Sequence, residues 1–164
     1  MFRSKLLREN IVEMIPKWLE EEKWKLVKID NVDFHLSYKI TLKSGMEIYL
    51  GVEKLIDRIS IQNTLTIPLD VKASYKLSPN KYKFLYDLKV YLMLMEISTE
   101  ITSSFEELES INIANFIYFD EFSRNKFIHA IYKLADATDL IIIMWKRFTE
   151  SHLPTSQQKS GNFI

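Results

Sequence analysis

The chain has 164 residues, 47% hydrophobic and 27% charged, a length and balance that suit one domain burying its own core. It has no cysteine, which excludes disulfides and thiolate metal sites, and its three glycines are too few for a glycine-rich phosphate loop. Formal net charge is zero, yet residues 90–123 carry seven acidic side chains and no Lys, Arg or His, so the chain is polarised without being basic overall.

In chain order, Leu7, Ile11, Met14, Ile15 and Trp18 recur at helical spacing and predict a first helix over residues 4–23. Pro16 lies inside that pattern. It removes a backbone donor and crowds the preceding turn, so a kink or break is expected there, with Trp18 and Leu19 in a second short piece. WKLVKID (24–30) reads as a first strand. From Val32 to Leu42 the alternation is regular: Val32, Phe34, Leu36, Tyr38, Ile40 and Leu42 share one face, with polar residues such as His35, Ser37 and Lys39 on the other. KSGM (43–46) supplies a hairpin turn. Ile48, Leu50 and Val52 point to the core from a third strand, and Ile59, Ile61, Leu65 and Ile67 from a fourth, which together make an antiparallel meander.

Residues 68–77 read as a loop. Ser78 and Pro79 are expected to cap and open a second helix that ends near Met95, with Phe84, Leu85, Leu88, Leu92 and Met95 inward. Two further strands, 97–105 and 111–119, are joined by the acidic turn EELES. The last helix carries a long stripe that includes Phe127, Ile131, Leu134, Thr138, Ile141, Trp145 and Phe148. Just ahead of it, FDEFSRNKFIHA (119–130) gathers carboxylates, an arginine and a histidine. Asp120 and Ser123 have a capping role there and acidic residues face the helix dipole, so the cluster reads as a helix start rather than an acid–base site. The polar segment 151–164 is expected to be a disordered tail behind a single domain of residues 1–150.

Little in the sequence speaks for catalysis or a cofactor. His35 and His129 fall on wet faces and His152 in the tail, so no histidine has the context of a general base. No pair of histidines has metal-ligand spacing, and Glu106, Glu107 and Glu109 read as a solvated turn. The expectation is a non-enzymatic protein without cofactor or metal; paired carboxylates in a pocket invisible to sequence remain the enzymatic alternative. Nucleic-acid binding has one candidate stretch, 70–91, where Lys72, Lys76, Lys81 and Lys83 interleave with tyrosines. The longest apolar runs, VYLMLM and LIIIMW, are six residues each, far short of a membrane span, and the N-terminus lacks an apolar signal core; a soluble, cytoplasmic chain is expected.

The middle and last helices carry apolar residues outside their core stripes. Tyr82, Tyr86, Val90 and Met93 form a second stripe on the former, and Leu140, Ile143 and Met144 leave the stripe on the latter. A helix apolar all round must be covered by something. Either another element of the domain covers these residues, or Tyr82, Tyr86, Val90, Met93, Ile143 and Met144 form an interface for a second copy or another protein segment.

The order helix, four-strand meander, helix, two strands, long helix resembles the α+β fold of type III secretion chaperone-like domains. More closely, WLEEE (18–22), DFHLSYKITL (33–42), DRISI (57–61) and NFIYFDEFSRNKFIHAIYKLADAT (115–138) are similar to an uncharacterised archaeal family of domains of unknown function with that fold. The resemblance implies one antiparallel sheet with helices packed on one face, and no catalytic or ligand motif. It also implies a chaperone-like, protein-binding role, since proteins with this fold are often dimers that hold an extended segment of another protein.

Overall fold

The computed structural model describes residues 2–104 and 107–151. The expected tail beyond Ser151 lies outside the described residues, as does Glu106 of the expected acidic turn 106–110; residues 107–110 of that turn are instead strand, because pairing with Ser104, Ser103 and Thr102 carries the ladder back to Glu107. Six strands form one antiparallel sheet: β1 (Lys25–Lys28), β2 (Phe34–Thr41), β3 (Glu47–Glu53), β4 (Arg58–Thr66), β5 (Ser98–Ser104) and β6 (Glu107–Tyr118). Their spatial order is β1-β2-β3-β4-β6-β5, so the meander of the first four strands is extended by β6, with β5 at the edge. The other edge, β1, is only four residues long and begins and ends on lysine, a combination that discourages edge-to-edge pairing.

The helices are α1 (Phe2–Glu21), α2 (Leu69–Leu77), α3 (Lys81–Leu94) and α4 (Arg124–Glu150). They cover one face of the sheet. From below, Ile40, Ile48, Val52, Ile59, Ile61 and Ile111 reach into one hydrophobic cluster, none of them exposed. From above, Ile11 and Leu19 of α1, Leu88 of α3 and Ile131 of α4 complete it. The meander, the sheet and the inner stripe of α4 therefore stand as the periodicity predicts.

Four further local expectations are corrected. First, α1 runs unbroken through Pro16. Ile11, Ile15 and Leu19 are fully buried on both sides of the proline, so core packing keeps the helix continuous across it. Second, residues 68–77 form α2 rather than a loop. Only Val71 and Tyr75, one turn apart, are buried in it, too few positions for a visible period. Third, Ser78 is buried at the end of α2, and its hydroxyl accepts from the Asn80 amide at 3.1 Å; α3 opens at Lys81 instead of Pro79. Fourth, the clean alternation of β2 fails at its start. The ladder slips between Phe34 and Leu36, Val32 is 83% exposed, and Phe34 moves to the opposite face of the sheet, where its ring lies against Gly51.

A polar contact crosses the core. The Asn63 side chain on β4 donates to the Thr138 hydroxyl on α4 at 3.1 Å, and that hydroxyl donates to the Leu134 carbonyl at 3.0 Å. Both side chains are buried, so the bond satisfies groups that would otherwise be stranded. Thr138 belongs to the stripe expected for the last helix. Asn63 interrupts the apolar row of β4 and was not part of the expected core.

Candidate functional site

The cluster at residues 119–130 is a helix start. A 3-10 turn over Phe119–Glu121 leads to Ser123, whose hydroxyl accepts from the Lys126 amide at 3.3 Å. Ser123 alone makes the expected cap bond. Glu121 pairs with Lys126 at 3.1 Å, and Arg124 reaches Glu21 and Glu22 at the end of α1, at 2.8 and 3.3 Å. The charges thus fasten α4 to α1. His129 is exposed. Among the described residues no group of three or more His, Asp or Glu could hold a metal ion.

The predicted contact residues lie on α3 and the C-terminal half of α4, and the structure sorts them into two features. Leu88 and Leu92 face the core and are fully buried. On the outer side of α3, Tyr82, Tyr86 and Met93 are 58%, 69% and 66% exposed. Val90, between them, is half-buried. Leu94 widens this exposed apolar face at the end of the helix, whereas Tyr91 turns towards α4.

Ile143 and Met144 belong to a different feature, a groove of about 670 Å³ between α3 and α4. Its walls include Phe84 and Tyr91 from α3, and Leu140, Met144 and Phe148 from α4. The Phe84 and Phe148 rings meet at a 32° tilt with centroids 4.5 Å apart and form its floor. Lys83, Asp87 and Arg147 give it a polar rim. The Lys83 ammonium donates to Asp87 at 2.7 Å, and that carboxylate holds the lysine above its ordinary range. The groove therefore joins the α4 residues singled out in the sequence to Phe84, Tyr91 and Phe148. Helical spacing assigns Phe84 and Phe148 to the core alone, because a stripe does not reveal where two helices diverge.

The lysines considered for nucleic-acid contact do not converge on a single groove. Lys72 and Lys76 are on α2, while Lys81 stands 5.5 Å from the centre of the Tyr82 ring and Lys83 is bonded to Asp87. Lys81 and Lys83 are thus engaged by partners on α3.

Comparison with known proteins gives the fold and the family. No curated protein matches this chain. An uncharacterized protein from Methanothermobacter thermautotrophicus superposes with a TM-score of 0.73 at 22% identity, over 83% of this chain and 97% of that one. YbjN from E. coli, a proposed transcription regulator, superposes with a TM-score of 0.52 at 7% identity, over 77% of this chain and 86% of that one. At such identities the likeness is one of fold, and the fold is the type III secretion chaperone-like α+β architecture. Among the described residues no helix is long and apolar enough to cross a membrane. Residues 11–145 match the family described as "Uncharacterized conserved protein (DUF2299)", and the chain belongs to that family.

Proposed function

We propose that this domain is a non-enzymatic protein-binding module whose first partner is a second copy of itself, docked through the outer face of α3. The observation that carries this reading is the exposure of large apolar side chains along a single helix. Tyr82, Tyr86, Met93 and Leu94 are each between 58% and 71% exposed, while the opposite side of α3 is already in the core. Single exposed apolar residues are ordinary, but a helix-long band of them marks a contact surface. Tyrosine and methionine suit that role, the former burying much area with few rotamers and the latter adapting to a partner's shape.

The area fits a pair of identical chains. Four such side chains with half-buried Val90 offer on the order of 500 Å² per copy, or about 1,000 Å² for a two-fold pair, the size a specific interface should reach. A zero formal net charge leaves no strong repulsion between copies. The likeness to a chaperone-like fold is compatible with this role without establishing it.

Light scattering behind size exclusion tests the reading across about a hundredfold dilution. The dimer mass should persist in the native chain. In the Tyr86→Glu/Met93→Glu double variant it should fall to one chain while far-UV circular dichroism and melting stay unchanged. A native monomer at every concentration would refute self-association. Unfolding of the double variant would place the band in the core.

A further inference from the structure

The face of the sheet away from the helices holds a second kind of site. Its construction begins with the slip in β2. By moving Phe34 to this face, the bulge lays the ring over Gly51, where a Cβ would run into it, so glycine at 51 is what lets Phe34 lie down. The segment before Phe34 is pinned over the same place. Ser37 donates its hydroxyl to the Ile29 carbonyl at 2.7 Å, and the Ile29 amide donates back to the Ser37 carbonyl at 3.0 Å. Asn31 closes a turn by accepting the Asp33 amide at 2.9 Å.

Under this cover is a cavity of about 300 Å³, walled by Phe34 and Tyr49 and floored by Ser60, Gln62 and Thr64. A second cavity of about 290 Å³ continues it, sharing Gln62 and Thr64 and reaching Asn112, Phe116 and Glu100. Cross-strand pairing explains the continuity, since Tyr49, Gln62 and Ala114 are successive partners across β3, β4 and β6, and Ser60 sits opposite Phe116. Arg58 caps the Phe116 ring at 4.2 Å and is held by Glu53 at 2.7 Å.

The chemistry of the lining is selective. No charged side chain lines the first cavity, and Glu100 is the one that lines the second, among the described residues. An anionic ligand finds no counter-charge inside, and the nearby cations Lys39 and Arg58 are each held by a carboxylate, Glu47 and Glu53. Aromatic walls favour a flat ligand. The Gln62 amide offers a donor and an acceptor side by side, and Thr64 a hydroxyl, the complement of an amide or amidine edge. At the far end a carboxylate accepts from an amino group.

We infer that this open-face trough binds a neutral planar heterocycle bearing an exocyclic amino group, the chemistry of adenine, cytosine or guanine. The volume suits one such ligand, at the small end of ligand cavities. The same chemistry is offered by a free nucleoside and by a base in a single strand. The engaged state of Lys39 and Arg58 favours the former, because a strand needs its phosphates neutralised.

Amide chemical shifts, followed on titration with adenosine, cytidine, guanosine and an adenine oligonucleotide, test the assignment. At least one nucleoside should give saturable shifts at Gly51, Ser60, Gln62 and Ala114 below about 1 mM. Affinity should fall roughly tenfold in Gln62→Leu, whose exposed position leaves melting unchanged. Gly51→Ala, by lifting Phe34, should weaken binding too. A salt-sensitive response to the oligonucleotide alone would keep the base chemistry and assign it to a strand, overturning the free nucleoside. No saturable shift with any of the four, or shifts that survive both variants, would overturn the site.

Discussion

α4 and α3 pack side by side, and their sequences solve different problems. In α4 the inner positions Phe127, Ile131, Leu134, Ile141 and Trp145 are at most 5% exposed, while Lys126, Asp136 and Lys146 lie outside. Apart from Tyr132 and Ile143, each 47% exposed, such segregation is what a helix needs when one face meets the core and the other meets water. α3 keeps an equally good inner row in Phe84, Leu88 and Leu92, yet places Tyr82, Tyr86 and Met93 on its outer side. The core accounts for the first row and not for the second. The difference teaches that residual apolarity, after the core has taken its share, is the part of a helix that speaks to function.

The largest expected effect separates the two sides of α3. Leu88→Ala empties a fully buried position and should destabilise the domain by about 2–5 kcal/mol in denaturant unfolding. Tyr86→Ala, on the outer side, should change the stability of the isolated chain by less than about 0.5 kcal/mol while weakening self-association. Equal losses of stability would erase the distinction.

A smaller effect probes the contact that seats α4 on the sheet. Asn63→Ala removes the donor to Thr138 and leaves space in the core, at a cost of about 1–3 kcal/mol. Asn63→Leu should cost less, because an apolar side chain fills the site and Thr138 keeps its bond to the Leu134 carbonyl. Calorimetric melting of the two variants checks the order.

The smallest effect is one of pH at the base of β2. Burial first, then the charges of Arg8 and Lys54, lower the His35 pKa from its usual 6.5. The unfolded chain therefore binds a proton more readily than the fold does. This contribution to stability is complete above pH 6.5 and is lost as pH falls below it towards the folded value. His35→Gln should flatten that part of the melting-versus-pH curve. An unchanged slope would show that other groups produce it.

What could be read from the sequence followed the regularity of the pattern. Ile48, Leu50 and Val52 alternate over a half-buried strand, and α4 carries its stripe from Phe127 to Phe148 of a 27-residue helix, so both were legible. α2 was not, since Val71 and Tyr75 are its only buried positions. Phe34 fits an alternating row by spacing, and only the bulge, an event of pairing between strands, sends it to the other face. Pro16 announces a break that burial of Ile11 and Leu19 overrides. The outer band of α3 was visible as a second stripe, but whether the domain itself covers it depends on how helices are arranged in space. The groove beside it and the trough on the open sheet face arise from packing and pairing between distant segments, and spacing along the chain carries neither.

The central claim is that the outer face of α3 meets the same face of a second copy. The chain has no cysteine, so single cysteines can be placed at Tyr82, Tyr86, Val90 or Met93, with Leu55 as an exposed control on the β3–β4 loop. Two cysteines join only when their Cα atoms approach within about 7 Å, so mild oxidation reads proximity directly. The account predicts covalent dimers from at least one α3 position and none from Leu55→Cys. Failure at all four α3 positions, or equal yield from the control, would contradict it.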